Sequence, residues 1–405
     1  MTPNWAGSRF SVVALGRIVE VQLGKMLQPA RSTMVDELTP YLRAGSLSKL
    51  DTDDFPEMFA SPLDRRKYEV VKGDLLVAEG GDVGRAEFAR AIPATTIIQN
   101  SLHRLRARTT DMRFIKYALD AVYGSGWLEV YCSKSTFGHL TREKLTALTI
   151  PSPSPAMQRA IADYLDAETA RIDLALDLRR RTITLLDEAS SAVLNAAFAS
   201  ASTRRTKLKH LLAQSPCYGV LVPNFVEVGV PFVRVGDLAS MGSEEAPARY
   251  ISESQSREYA RTRLALGDIL LSVVGSIDKV RVVSLALVDS NIARAVCRLV
   301  PRAGLPSDLL ALWFRSTAYL DQARQATSSD TAQPTLGMGD LSNFEVWFPD
   351  SNAYDEFKID LQKELDRLRA SRDSLQRQVE LLAERRQALI TAAVTGQIEI
   401  PGVAV

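Results

Sequence analysis

The chain has 405 residues, 46% of them hydrophobic and 24% charged, with a formal net charge of +1. That length and composition describe globular protein of two or three domains, and the near-neutral balance means that any basic surface is local. The three cysteines, Cys132, Cys217 and Cys297, have no metal-ligand spacing and read as free thiols of a cytoplasmic protein, while no apolar run reaches the ~18 residues of a membrane span.

Residues from about 8 to 150 read as an irregular, strand-rich domain. Short β-type runs such as Glu69-Val70-Val71 and Asp74-Leu75-Leu76-Val77 lie between Gly, Pro and Ser punctuation. Helical stretches such as Phe114 to Val122 are mixed in. Pro151-Ser152-Pro153-Ser154-Pro155 is a stiff stop, after which a helix can begin. From about Ala156 to Ala199 there is no Pro or Gly, and most residues are good helix formers. A second β-rich stretch covers about 204–348, with a basic run, Arg204 to Lys209, at its start as a phosphate contact or a solvated linker. Pro349-Asp350 then leads into a helix from about Tyr354 to Val394, stopped by Gly396.

The second half repeats the first. Pro40-Tyr41-Leu42-Arg43-Ala44-Gly45-Ser46-Leu47 is answered by Pro231-Phe232-Val233-Arg234-Val235-Gly236-Asp237-Leu238 (231−40 = 191), and Gly73-Asp74-Leu75-Leu76 by Gly267-Asp268-Ile269-Leu270 (267−73 = 194). Arg104-Leu105 is answered by Arg298-Leu299 (298−104 = 194), and Pro151 by Pro349 (349−151 = 198). So small a drift implies two copies of one unit, a domain followed by a helix. A duplicated fold tends to place two similar surfaces about a pseudo-two-fold axis, which suits a bipartite target such as duplex DNA.

Both helices carry a heptad seam. Leu361, Leu368, Leu375, Leu382 and Leu389 recur every seven residues, with Leu365, Val379 and Ala393 at the companion position. In the first helix Leu165, Ile172, Leu186 and Val193 hold the same register, with Leu176, Ile183 and Ala197 beside them; Arg179, Arg372 and Arg386 interrupt the lines. The stripes predict that the two helices cover each other, antiparallel if the copies are two-fold related, as a rod of roughly 60 Å. The alternative is a homodimerising coiled coil with pendant domains. The expected fold class is α+β, with two similar β-rich domains (residues 1–155 and 201–352) separated by two long antiparallel coiled-coil helices (156–200 and 353–405).

No catalytic constellation stands out. There is no phosphate-cradling loop ending in Lys-Ser/Thr. Gly80-Gly81-Asp82-Val83-Gly84 opens no helix and reads as a tight turn, answered by Val274-Gly275-Ser276-Ile277-Asp278. His103, His139 and His210 lack ligand-like or triad-like company, and Asp350, Glu356 and Lys358 flank a helix start, where acids suit the dipole. Candidates for DNA contact are Arg43 and Arg234, Arg85 and Lys279 after the glycine turns, and Arg104 and Arg106, which with Arg108 share one face of a strand. Two polar loops join them, Lys134-Ser135-Thr136 and the stretch holding Ser328, Ser329, Thr331 and Gln333. Lys and Arg would neutralise phosphates; Ser, Thr and Gln reach base edges. For any single position, solvated surface charge is the plain alternative.

These features together resemble the DNA-specificity (S) subunit of type I restriction–modification systems. The resemblance rests on Pro231 to Leu238, Gly267-Asp268-Ile269-Leu270-Leu271 and the helix close from Leu381 to Val394-Thr395-Gly396-Gln397-Ile398. First-copy equivalents run from Pro151 to Ala162 and through Leu185-Leu186-Asp187-Glu188. Where the family usually has Pro-x-x-Glu-Gln at the helix start, this chain has Pro155-Ala156-Met157-Gln158 and Ala353-Tyr354-Asp355-Glu356-Phe357. The resemblance covers essentially the whole chain and implies a non-catalytic, cytoplasmic subunit with two target-recognition domains. Each domain would read half of a split, asymmetric site in double-stranded DNA. It further implies two methyltransferase (M) subunits, restriction (R) subunits in the full complex, and S-adenosylmethionine, ATP and Mg on those partners rather than on this chain. The assembled complex would be a DNA adenine methyltransferase and ATP-dependent endonuclease, acting in defence against phage. Rival readings are a self-sufficient DNA methyltransferase or nuclease, and a coiled-coil scaffold for two protein-binding domains.

Overall fold

The computed structural model describes residue 5 and residues 7–50, 55–90, 92–132, 138–200, 203–240, 245–327 and 334–401. The chain falls into two compact units, one made of Met1–Arg179 with Arg377–Val405, the other of Arg180–Gln376.

In unit 1 the elements run β1 (Val12–Ala14), β2 (Val19–Leu23), β3 (Glu37–Leu42), β4 (Glu57–Ala60), α1 (Pro62–Tyr68), β5 (Leu75–Ala78), β6 (Ala86–Phe88), β7 (Ile97–Ile98) and β8 (Leu102–Ala107). Then come α2 (Met112–Gly124), α3 (Trp127–Cys132), α4 (Arg142–Ala147), β9 (Thr149–Pro151) and the long α5 (Pro155–Phe198). One antiparallel sheet has the order β2-β8-β5-β6 and a second β4-β3-β7, with β3 parallel to β7; β1 and β9 form a ribbon. The sheet containing β5 is covered on both faces. Leu75 and Val77 face Phe114, Ile115 and Ala118 of α2, while Leu76 and Ala78 pack with Leu42, Leu47 and Ile98. That double cover explains why Leu75-Leu76-Val77-Ala78 is a continuous apolar run rather than an alternating one. The expected strand at Glu69-Val70-Val71 reduces to one bridge, Glu69 to Ile97. Beyond it the Asp74 carboxylate takes the Val71 N–H at 2.8 Å and Gly73 turns the chain at φ +95°.

Unit 2 repeats this plan with β10 (Thr203–Lys207), β11 (Cys217–Tyr218), β12 (Phe225–Val226), β13 (Val230–Val233), α6 (Asp237–Ser240), β14 (Tyr250–Ile251), α7 (Glu253–Glu258), β15 (Ile269–Ser272) and β16 (Val280–Val282). It continues with β17 (Asn291–Ile292), β18 (Val296–Leu299), α8 (Ser307–Trp313), α9 (Thr317–Ala326), α10 (Met338–Asn343), β19 (Glu345–Pro349) and α11 (Tyr354–Val394). Its sheets are β11-β18-β15-β16, β12-β14-β13-β17 and β10-β19. The repeat holds to single pairs. Leu75 faces Phe88 and Leu105, as Ile269 faces Val282 and Leu299. Thr95 and Asp289, at matching turns, take φ +67° and +65°. A Cβ on Gly24 would lie 2.3 Å from the Gln99 carbonyl oxygen, and one on Gly219 2.0 Å from that of Ile292, so both copies require a glycine where two backbones touch. Arg204 to Lys207 form strand β10, not a linker: Arg204 pairs with Asp350 and Arg205 with Glu345.

The long helices start and stop where the sequence places them. Ser154 Oγ accepts the Met157 N–H at the head of α5, and Gly396, at φ +71°, closes α11 with its N–H on the Ala393 carbonyl. Each unit contains an antiparallel stretch of the pair. In unit 1 Asp173 meets Arg386 and Arg179 meets Gln378; in unit 2 Asp187 meets Arg372 and Phe198 meets Phe357. Leu165, Ile172, Leu176, Leu361 and Val379 are buried in this seam, and Leu186, Val193, Leu368, Leu375, Leu382 and Leu389 half-buried. The arginines that interrupt the seam are satisfied by Gln378, Asp187 and Asp173, so the stripes are covered within the chain rather than left for a second copy.

Candidate nucleic-acid interface and helix faces

In unit 1 a chain of hydrogen bonds collects two of the sequence candidates, Arg43 and Arg85, at one corner. The Ala44 N–H donates to Ser101 Oγ (3.0 Å), the Ser101 carbonyl accepts from Glu79 N–H (2.9 Å), and the Glu79 carbonyl accepts from Leu140 N–H (2.8 Å). Arg43 ends β3 there, exposed, its backbone N–H on Ser46 Oγ and its guanidinium without a side-chain partner among the described residues. The glycine turn follows Glu79, with Gly81 and Gly84 at φ +75° and +85°, and puts Arg85 at its exit. Arg85 is held by Asp82 (3.5 Å) and Glu87 (4.0 Å), and the Tyr123 hydroxyl donates to Asp82, a bond that pushes the tyrosine pKa up. Lys134, Ser135 and Thr136 lie outside the described residues.

Unit 2 repeats the corner. Ala293 N–H bonds to the Val233 carbonyl, Val273 N–H to that of Ala295, and Leu336 N–H to that of Val273. Arg234 ends β13, its N–H on Asp237 Oδ2 (2.8 Å) and its guanidinium 3.5 Å from the same carboxylate. Gly275, at φ +77°, makes the turn and donates its N–H to the Pro334 carbonyl. Lys279 leaves that turn with no acid in ion-pair range among the described residues, its backbone N–H on Ser272 Oγ. Ser328, Ser329, Thr331 and Gln333 lie outside the described residues, in the segment leading into Pro334. Each corner therefore carries an arginine at a strand end and a basic residue after a glycine turn.

Arg104 and Arg106 stand apart from that corner and act inward. Arg104 is 5% exposed and donates to the Glu69 carbonyl; Arg106 clasps Asp74 through Nε (2.6 Å) and Nη2 (2.8 Å). In unit 2 Arg298 alone does both jobs, on Asp268 (2.6 Å) and on the Arg261 carbonyl (2.8 Å). The repeated Arg104/Arg298 position is a strut of the fold, so Arg104 contributes no surface charge. His103 is likewise internal, its Nε2 on the Leu140 carbonyl, and burial pushes its pKa down. His139 and His210 are exposed, Asp350 is paired with Arg204, and Lys358 with Asp308. Among the described residues no group of three or more His, Cys, Asp and Glu could hold a metal, and no helix is long and apolar enough to cross a membrane.

One feature of the helices escaped the sequence reading. In unit 1 Leu174 (61% exposed), Leu178 and Leu381 (63% exposed) point away from the seam, and Leu185 does so in unit 2. Their signal was present as a second stripe, Leu174, Leu178 and Leu185, offset from the heptad line. An exposed apolar row on a helix pair marks a place where other protein packs.

Residues 8–179 match the family model described as the type I restriction modification DNA specificity domain. The specificity subunit of the type I restriction enzyme EcoBI from Escherichia coli is 25% identical over 363 residues, 82% of this chain and 75% of that protein. The chain is thus similar to type I restriction–modification specificity proteins, by the family model over residues 8–179 and by that relative over 82% of its length. A solved structure described as the structural basis of complex assembly and conformational transition of the type I R-M system covers 96% of the chain and 98% of its own at 16% identity, with a TM-score of 0.69. That likeness is one of fold, and it extends over both units. The HsdS subunit from Thermoanaerobacter tengcongensis matches at 17% identity over 98% of each chain with a TM-score of 0.49, too loosely to bear on the fold.

Proposed function

We propose that this chain is the non-catalytic recognition subunit of a type I complex, that each unit reads one half of a split site in double-stranded DNA, and that the helix pair spaces the halves. The observation that carries this reading is the duplicated corner. The same backbone frame presents Arg43 and Arg85 in one copy and Arg234 and Lys279 in the other, basic groups suited to phosphates, and in the sequence polar segments suited to bases precede Leu140 and Pro334. Those segments differ between the copies, so the two half-sites differ and the whole site is asymmetric. The exposed leucines of the helix faces suit docking of two methyltransferase subunits, through which restriction subunits join. S-adenosylmethionine, ATP and Mg then belong on those partners, and the complex works in the cytoplasm as adenine methyltransferase and ATP-dependent endonuclease.

The test is methylation mapping of the source cell by single-molecule sequencing, with and without the gene. Loss of methylation at one split, asymmetric motif is the expected result; a map unchanged in cells that express the whole system refutes it. The spacing role has its own test. Removing residues 178–184 and 374–380, one heptad from each helix, shortens the pair by ~10 Å. The gap between half-sites should shrink by about three base pairs. An unchanged gap refutes the spacer. Leu174→Lys with Leu381→Lys should leave the fold intact and abolish copurification with the methyltransferase subunit.

A further inference from the structure

The two units differ in charge where the first helix after the sheet meets the long helices. Equivalent positions are 195 or 196 residues apart (308−113 = 195, 358−163 = 195, 369−173 = 196). In unit 1 Arg113 of α2 bonds to Asp163 (2.7 Å) and Asp166 (2.8 Å) of α5. In unit 2 the signs are exchanged: Asp308 of α8 takes Lys358 (2.5 Å) and Gln362 (3.5 Å) of α11. Two turns further along, unit 1 has two acids, Asp120 and Asp173, each with its own cation: Lys116 at 2.8 Å and Arg386 at 2.8 Å. Unit 2 has arginines at both acid positions, Arg315 and Arg369. The positions that held the counter-charges have become Ala311 and Ser190. The exchange was completed at the outer pair and only half made at the inner one. Two cations remain without the counter-charges of the unit 1 arrangement.

The space there is a cavity of about 400 Å³ lined by Arg315, Arg369, Arg372, Asp187, Asp366 and Ser190, wholly within unit 2. Arg372 is neutralised by Asp187 at 2.8 Å. Neither Arg315 nor Arg369 has an acid within ion-pair distance among the described residues, Asp366 included. Arg315 is solvent-exposed as a residue, yet desolvation of its guanidinium and then the charge of Arg369 push its pKa down, the mark of a cation lacking its counter-ion. In unit 1 Gln387, at the position of Ser191, packs on Gly124 and bonds to the Asp120 carbonyl.

We infer that this cavity is a binding site for a small phosphate-class oxyanion, held between the guanidinium groups of Arg315 and Arg369. Arginine forks match the tetrahedral oxygens of a phosphoryl group, and a cavity of this size admits either inorganic phosphate or the phosphate end of a nucleotide. The site does not depend on the DNA-reading proposal, and it would stand if that failed.

Inorganic phosphate and AMP are titrated into the full chain by calorimetry and by thermal unfolding, with chloride at matched ionic strength as the baseline. Saturable binding above the chloride response is expected, weakened about tenfold or more in Arg315→Gln and in Arg369→Gln. Both residues are exposed, so these variants keep the fold. Ser190→Asp places an internal anion where unit 1 carries Arg386 and should abolish the phosphate response. AMP binding much tighter than phosphate identifies a nucleotide as the ligand; equal binding identifies the phosphoryl group alone. A phosphate response no larger than that of chloride, or one retained in both Arg315→Gln and Arg369→Gln, overturns the site.

Discussion

Arg298→Met tests whether the repeated arginine of the duplicated sheet is a strut or a DNA contact. The Arg298 side chain is 11% exposed and that of Asp268 4%, with Nε to Oδ2 at 2.6 Å. The same carboxylate accepts the Ala265 N–H at 2.8 Å, and Arg298 Nη1 reaches the Arg261 carbonyl at 2.8 Å. Methionine keeps the apolar stem and removes the charge, leaving Asp268 nearly dry with a single amide donor. Stranding one member of a buried pair in this way costs about 3–5 kcal/mol. For a unit of this size each kcal/mol moves the melting temperature by about 2–4 °C, so unit 2 should melt roughly 6–20 °C lower. Calorimetry reads this directly, and guanidinium unfolding can follow Trp313, which is buried in the same core. Arg106→Met in unit 1 should cost less, about 1–2 kcal/mol, because Arg106 is 38% exposed and water already screens its pair with Asp74. A variant Arg298→Met that melts like the parent but loses DNA affinity would refute the strut and make Arg298 a contact.

Three further outcomes are expected. Gly24→Ala and Gly219→Ala should each lower stability by several kcal/mol in thermal unfolding, since the new methyl meets backbone oxygen at 2.3 and 2.0 Å; a change under 1 kcal/mol would mean that the two backbones part easily. The Asp36 carboxyl is pulled down to about 2 from 3.8 by the Thr33 hydroxyl and by the Ser32 and Thr33 amides. A depressed carboxyl contributes stability above its unfolded value and loses it as the pH falls, so the loop from Gln28 to Asp36 should loosen between pH ~4 and ~2. The amide shifts of Ser32 and Thr33 should titrate with a midpoint near 2 and lose that step in Asp36→Asn, whereas a midpoint near 4 contradicts the assignment. Arg43→Gln and Lys279→Gln should each weaken DNA binding alike for all sequences and reduce the slope of log K against log salt by about 1; an unchanged slope excludes a phosphate contact.

The long-range order of this chain was legible because it is written in periods. The heptads fixed α5 and α11 and their mutual cover, and the offsets near 194 aligned β5 with β15 and β8 with β18. The function of individual arginines was not legible. Arg104 and Arg106 alternate on one strand face, and alternation shows which residues share a face but not whether that face is covered. Here the second core layer closes over it, so Arg104 is buried and Arg106 is committed to Asp74. The run from Arg204 to Lys209 read as a phosphate contact or a solvated linker because charge density suggests solvent, yet β19 supplies a partner strand and acids at Glu345 and Asp350. The corner shared by Arg43, the glycine turn and Leu140 depends on hydrogen bonds between residues far apart in sequence, which no local pattern carries.

The exchanged charges also explain how a duplicated chain avoids pairing with itself in the wrong order. Both copies build the same backbone joint between a short helix and the start of a long one, so backbone geometry alone does not tell α5 from α11. The side chains do. Arg113 meets Asp163 and Asp166 on α5, and Asp308 meets Lys358 on α11. Exchanging the long helices would set Arg113 against Lys358, and Asp308 against two aspartates. Each correct joint is exposed enough that its attraction contributes little, but the wrong joint gathers like charges at hydrogen-bond range and loses every polar bond of the right one. Discrimination then comes mainly from the penalty on the wrong partner. The half-exchanged inner pair, Arg315 with Arg369, adds no such discrimination and leaves unit 2 with an unbalanced charge. A purely structural joint has no reason to keep that imbalance; a ligand site does.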